Sequence, residues 1–330
     1  MSAALAYATH PSPAADACRG ELPLTLRLRH AGPRSVVLRW ELRGDPTLPV
    51  VAVLGGISAD RHVASSAAFP DRGWWDAHAD DTFNGRCVLG IDWLGADGTL
   101  DAPIDSADQA QALAAVLDHL GIARVTAIVG SSYGAMVGLA FAAAFPQRVG
   151  HLVAIAGAHR PHPFASAWRA LQRQVVALGQ LQCAETQGLS LARQLALLSY
   201  RTPEEFGARF DADATLAGNT AHCAAEQWLA DHGAAYAQRT PAAAFLRLSE
   251  SIDLHRVDPR HVRVPTTLIA FAEDRLVPVD DVRALAAGID APVRLRVLHS
   301  TYGHDAFLKE PVVIAACLRD AFDACAEECA

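Results

Sequence analysis

The chain lacks several features that would have narrowed its role at once. It has no long run of Lys or Arg, and its formal net charge is −8 with 28 basic against 36 acidic residues. Nucleic acid and anionic membrane surfaces are therefore poor partners. No apolar stretch is long enough to span a bilayer. Residues 1–17 have no basic start, and Pro11 and Pro13 interrupt them, so they read as a loose tail and not a signal peptide. The seven cysteines are odd in number and scattered, with neither a disulfide framework nor a zinc spacing. A reducing cytoplasm is the simplest setting. Histidines and acids near His159 and His162, or at Asp76, His78, Asp80 and Asp81, have no ligand spacing and read as solvated loops, with no metal expected. No internal repeat or low-complexity segment is present beyond a general richness in alanine.

What the chain does have is apolar mass, with 51% of its 330 residues hydrophobic. Short β-rich runs recur near Leu24–Arg29, Val36–Leu42, Val50–Leu54, Cys87–Ile91, Val125–Val129, Leu152–Ile155, Thr267–Phe271 and Val293–Leu298. The first two alternate apolar and polar residues, which suits an antiparallel edge pair with one wet face. The later runs are almost wholly apolar, as strands covered by helices on both faces should be. Helical patterns fall between them at Ser106–Leu120, Tyr133–Phe145 and Val279–Gly288. Asp105 or Ser106 suits the N-cap of the first, and Pro278 the start of the third. Residues 160–257 break the rhythm: Ala, Leu, Gln and Arg recur at helical spacing with no convincing strand. The expected organisation is a flexible tail at 1–19, an α/β core from 20–159 and 258–330, and a helical cap at 160–257 inserted between the sixth and seventh strands.

The most informative residues are Gly130-Ser131-Ser132-Tyr133-Gly134, at the junction of an apolar strand and an apolar helix. Glycines flanking a serine at such a junction allow a sharp turn that lifts the hydroxyl above the sheet. The following helix aims its N-terminal N–H groups at developing negative charge. Read alone, the string also fits a glycine-rich turn with a solvated serine. A nucleophilic serine needs a base, and the base an orienting acid. Asp274 ends the seventh strand and His304 follows a glycine after the eighth, in the order Ser, acid, His of α/β-hydrolases. Glu273 competes with Asp274 for the acid's role. The oxyanion hole is expected from the backbone N–H of Tyr133 and of Ile57, with Gly56 the alternative for the latter.

These residues resemble the homoserine O-acyltransferases of the α/β-hydrolase superfamily over roughly 50–318. Tyr302-Gly303-His304-Asp305-Ala306-Phe307-Leu308 looks like the family's histidine segment, and Ala272–Pro278 is similar to the segment holding the acid. Gly188–Arg193, running on to Ser199-Tyr200-Arg201, matches a cap motif. Trp74-Trp75 and Asp92–Gly95 also fall at familiar places. The elbow departs from the usual Gly-Gly-Ser-Met-Gly-Gly-Met, and Gly56-Ile57-Ser58-Ala59 from the usual Ala-Leu-Thr-Gly. The Gly-Pro-Gly usual near Asp76–Gly85 is missing.

The resemblance implies an α/β-hydrolase fold, with a mostly parallel eight-stranded sheet flanked by helices and a helical cap. It implies transfer of a succinyl or acetyl group from acyl-CoA to the hydroxyl of homoserine in methionine biosynthesis, with no bound cofactor. It puts the acceptor's carboxylate on Arg193, a hydrogen bond on Tyr200 and the ammonium on Asp305. It also implies a cytoplasmic homodimer. Serine as acceptor, or water in an esterase or thioesterase, are the alternatives with the same triad. A catalytically dead binding protein is a further one. For a succinyl donor, Arg61, Arg160 and Arg275 are the candidate cations.

Overall fold

In the computed structural model of the chain, residues 16–77 and 82–328 are described. Strands β1 (Ala17–Leu28), β2 (Gly32–Arg43), β3 (Val50–Leu54), β4 (Cys87–Ile91), β5 (Val125–Ser131) and β6 (Val149–Ile155) form one sheet with β9 (Thr266–Phe271) and β10 (Val293–Leu298). The eight strands run in the order β1-β2-β4-β3-β5-β6-β9-β10. β1 and β2 pair antiparallel, and β2 meets β4 antiparallel; the pairs from β4 to β10 are parallel. Every residue of β3 and of β9 is buried. Along β3 the side chains alternate between two cores: Val50, Ala52 and Leu54 face one, Val51 and Val53 the other. The first core takes Leu113 and Leu117 of helix α1 (Ser106–His119) and Leu139 of α2 (Tyr133–Ala144). It also takes Val282 and Leu285 of a helix over Val279–Gly288. The second takes Ile314, Leu318 and Phe322 from a C-terminal helix over Pro311–Glu328. Each fully buried Leu or Val contributes about 1.5–3 kcal/mol by leaving water.

β1 begins at Ala17, so residues 17–19 of the expected tail belong to the sheet; residues 1–15 lie outside the described ones. The strand expected near Leu24–Arg29 runs instead from Ala17 to Leu28, through Pro23. The proline is tolerated because β1 is an edge, where one row of N–H groups has no strand partner.

Five helices lie between β6 and β9: α3 (Pro163–Leu181), α4 (Glu185–Tyr200), α5 (Pro203–Phe210), α6 (Glu226–Arg239) and α7 (Ala242–Leu254). Val257 N–H donates to His159 O at 2.9 Å, which brings the two ends of the insertion together. His255 fastens it further: Nε2 lies 3.0 Å from Ala158 O and Nδ1 2.6 Å from Ser106 Oγ. The stretch is not all helix. A two-stranded hairpin, β7 (Thr215–Ala217) and β8 (Thr220–His222), corrects the expectation of no strand there. Its six residues are all exposed, so no hydrophobic alternation marks them. The Gly218-Asn219 turn, with φ +62° at the glycine, was the available signal.

Candidate active site

The elbow forms because glycine stands where the backbone leaves no space. A Cβ on Gly134 would lie 2.1 Å from Leu54 O, and one on Gly130 2.3 Å from Gly134 O. Ser132 itself is held at φ 55°, ψ −113°, a strained conformation for a residue with a side chain. Its Oγ stands 2.8 Å from His304 Nε2. His304 Nδ1 in turn lies 2.6 Å from Asp274 Oδ2, and that carboxylate is completely buried. Asp274 Oδ1 accepts from the N–H groups of Leu276 and Val277 at 2.8 and 3.0 Å, which fixes its plane. Ser132, His304 and Asp274 thus form one continuous chain of hydrogen bonds. Glu273 is turned elsewhere, accepting from His299 Nδ1 and Ser300 N–H at 2.9 Å each.

Burial opposes charge on the His304 imidazole. The adjacent Asp274 carboxylate outweighs it by charge and hydrogen bond, Asp305 adds to this, and the net effect lifts His304 above its ordinary value. Lifting the affinity for a proton makes the imidazole a stronger base toward the serine hydroxyl.

Ile57 and Tyr133 both line a cavity of about 280 Å³ that opens onto Ser132. The Gly134 N–H donates to Gly55 O at 2.9 Å, tying the elbow to the loop after β3. Neither the Ile57 nor the Tyr133 N–H is used by the hydrogen bonds of the surrounding turns. The Tyr133 side chain is fully buried, bonded to Ser251 Oγ and edge-on to Trp93 at 4.9 Å. It therefore braces α7 against the core.

The inserted helices roof the cavity, with Arg193, Tyr200 and Asp305 all on its lining. Arg193 has no acidic partner among the described residues; its guanidinium lies 5.0 Å from the Tyr236 ring and 5.6 Å from the Tyr200 ring. Tyr200 stands 5.9 Å from the His304 ring, and burial raises its phenol. Asp305 is not alone: Arg201 Nε lies 2.8 Å from its Oδ2, and Arg201 also pairs with Glu205. Gly303, at φ +56°, lets the histidine turn approach the roof, where a Cβ would sit 3.0 Å from Tyr200 O. Of the cations considered for a donor, Arg160 lines the cavity, whereas Arg61 and Arg275 do not. Arg61 is paired with Asp92 at 2.6 Å, and Arg275 lies over the Phe164 ring at 5.6 Å. Sequence reasoning missed Arg169 and Gln172 of α3, which also line the cavity.

Among the described residues no group of three or more His, Cys, Asp or Glu is placed to hold a metal ion. His78, Asp80 and Asp81 lie outside those residues. Among the described residues, too, no helix is long and apolar enough to cross a membrane.

A family model for the alpha/beta hydrolase fold matches residues 49–311. Over 309 residues the chain is 58% identical to a homoserine O-succinyltransferase of Xanthomonas campestris pv. campestris, spanning 91% of this chain and 84% of that one. It is 36% identical over 225 residues to a homoserine O-acetyltransferase of Thermus thermophilus, spanning 63% and 55% of the two chains. The crystal structure of a homoserine O-acetyltransferase from Bacillus anthracis has the same fold, with a TM-score of 0.84 at 14% identity, covering 92% of this chain and 97% of that one. Matched along most of its length, the chain belongs to the homoserine O-acyltransferases of the α/β-hydrolase fold.

Proposed function

We propose that the protein transfers an acyl group from acyl-CoA to the hydroxyl of homoserine through an acyl-enzyme on Ser132. The observation that carries this reading is the relay of 2.8 and 2.6 Å from Ser132 through His304 to Asp274, under a roof bearing Arg193, which has no acidic partner among the described residues. In the first half-reaction Ser132 Oγ attacks the thioester carbon while its proton passes to His304 Nε2. The Oγ–C bond forms, the C–S bond breaks, and the proton goes to the departing sulfur. In the second, the homoserine hydroxyl gives its proton to His304 and attacks the same carbon. Its O–C bond forms, the serine ester breaks, and the proton returns to Ser132. The N–H groups of Ile57 and Tyr133 receive the oxyanion in both steps.

Arg193 suits the carboxylate of the acceptor, because a guanidinium with no acidic partner binds a carboxylate through two parallel hydrogen bonds. Asp305 suits the ammonium. The roof limits water, which transfer requires if hydrolysis is to lose. The test is a burst of free thiol when enzyme meets acyl-CoA without acceptor. Ser132→Ala should abolish it; a burst that survives this change would sink the reading. A matrix of acetyl-CoA and succinyl-CoA against homoserine and serine then names the pair of substrates.

A homodimer through the inserted helices is a further part of this reading. Leu171, Leu178 and Leu181 of α3 and Leu191 of α4 are each more than half exposed, a cost that a partner surface would remove. Sedimentation should give twice the monomer mass, and Leu178→Asp should shift it toward the monomer.

A further inference from the structure

Helix α3 presents Ala165, Trp168, Arg169 and Gln172 to the cavity, at the i, i+3, i+4 and i+7 positions of one helical face. Arg169 and Gln172 are polar where that face is otherwise apolar. Arg169 reaches Asp253 Oδ1 through Nε and Nη2 at 2.9 and 2.6 Å, and Nη2 also donates to Ser166 Oγ at 3.0 Å. Arg173, one turn on, meets Asp253 Oδ2 at 2.8 Å. Two guanidiniums therefore share one carboxylate, and the group carries one uncompensated positive charge. The Arg169 side chain is only 13% exposed, and its Nη1 makes no hydrogen bond to a described residue.

Gln172 gives an independent sign. It is 4% exposed and borders the cavity, and its side chain has no hydrogen-bond partner among the described residues. Its amide atoms keep access to the cavity, where the NH2 group can donate to a ligand oxygen. Arg169 is also near the reacting groups: its charge opposes protonation of His304 and favours ionisation of Tyr200.

We propose that Arg169 and Gln172 receive the far carboxylate of a dicarboxylic acyl donor and so favour a succinyl thioester over an acetyl one. This rests on the acyl-transfer reading of the same site. Guanidinium and amide together supply the donors a carboxylate needs, in a region where water does not screen the charge. Arg193, on the neighbouring helix, is left for the acceptor. Arg160 also borders the cavity but is exposed, where an ion pair is worth little.

The test reads the acylation half-reaction alone. Wild type, Arg169→Gln and Gln172→Leu are each mixed with succinyl-CoA or acetyl-CoA, without acceptor, and the rate of the thiol burst is recorded. Arg173 still neutralises Asp253 in Arg169→Gln, and Gln172→Leu leaves the whole ion cluster intact should the first variant fail to fold. The succinyl-to-acetyl ratio of burst rates should fall on the order of 100-fold in Arg169→Gln and about tenfold in Gln172→Leu. Equal loss with both donors, or a ratio that stays at the wild-type value in both variants, overturns the assignment. So does a wild-type enzyme that prefers acetyl-CoA. No burst with either donor in wild type overturns the acyl-enzyme reading itself, and this assignment with it.

Discussion

The guanidinium of Arg201 stands 2.8 Å from the carboxylate of Asp305, the residue that follows the histidine of the relay. The same guanidinium is paired with Glu205, and all three side chains are nearly buried. Two carboxylates thus share one cation, and the cluster is short of one positive charge. An acceptor's ammonium at Asp305 would supply it. Asp305→Asn removes that attraction and should raise the homoserine KM by about 10- to 100-fold, with a smaller effect on the thiol burst. Steady-state kinetics against homoserine, set beside burst kinetics without it, separate the two effects. An unchanged acceptor KM would remove Asp305 from the acceptor site.

The pH dependence of acylation follows from His304. The base must be neutral to take the serine proton, and its affinity for protons is raised above the ordinary value of 6.5. The burst rate should therefore climb with pH through a midpoint above that value. Asp305 contributes to the rise, so Asp305→Asn should move the midpoint to lower pH. Stopped-flow thiol release across the neutral range measures both. A midpoint that moves up in the variant contradicts this electrostatic account.

Two glycines should respond in opposite senses to the same change. At Gly134 the new methyl meets a backbone oxygen at 2.1 Å, with no flexible side chain to yield, so Gly134→Ala should cost at least about 3 kcal/mol. At Gly207, inside α5, a Cβ meets nothing within 4 Å. Gly207→Ala should stabilise by about 0.5–1 kcal/mol, since it restricts the unfolded chain without a clash. Urea midpoints for the two variants check the contrast.

Two other histidines govern stability in acid. Burial pushes both His151 and His255 down to about 4 from an ordinary 6.5. The native state then binds fewer protons than the unfolded chain between those values. Their contribution is intact above the unfolded value and is lost as pH falls toward 4, on the order of 3 kcal/mol for each. His151→Gln should flatten the dependence of unfolding free energy on pH by about one proton in that window. Denaturation curves at successive pH values give the slope directly.

How far the sequence could be read depended on what surrounds each segment. β3, β4 and β9 are covered on both faces, so their composition is wholly apolar or nearly so, and their bounds were legible to within a residue. Ser132 and Asp274 were legible because each follows an apolar strand, whereas His304 follows β10, an edge strand with no buried residue, and was legible from the glycine before it and its place after the acid. The β7–β8 hairpin escaped because no face of it is buried. Gln172 carried a signal that was passed over: a polar residue in the apolar stripe of α3, beside Trp168 and Val176. The Arg201–Asp305 pair carried none, because the two charges meet only when the insertion folds onto the sheet.

That insertion leaves the main chain near His159 and rejoins it near Val257, where the two ends share a hydrogen bond. Ser132, Asp274 and His304 all lie outside it, whereas Arg169, Gln172, Arg193 and Tyr200 all lie within. On the proposed reading the proton relay is written in the core, and the selectivity mostly in the insertion, with Asp305 the exception. Drift or grafting confined to one stretch can retune what enters the cleft while the proton relay stays as it was.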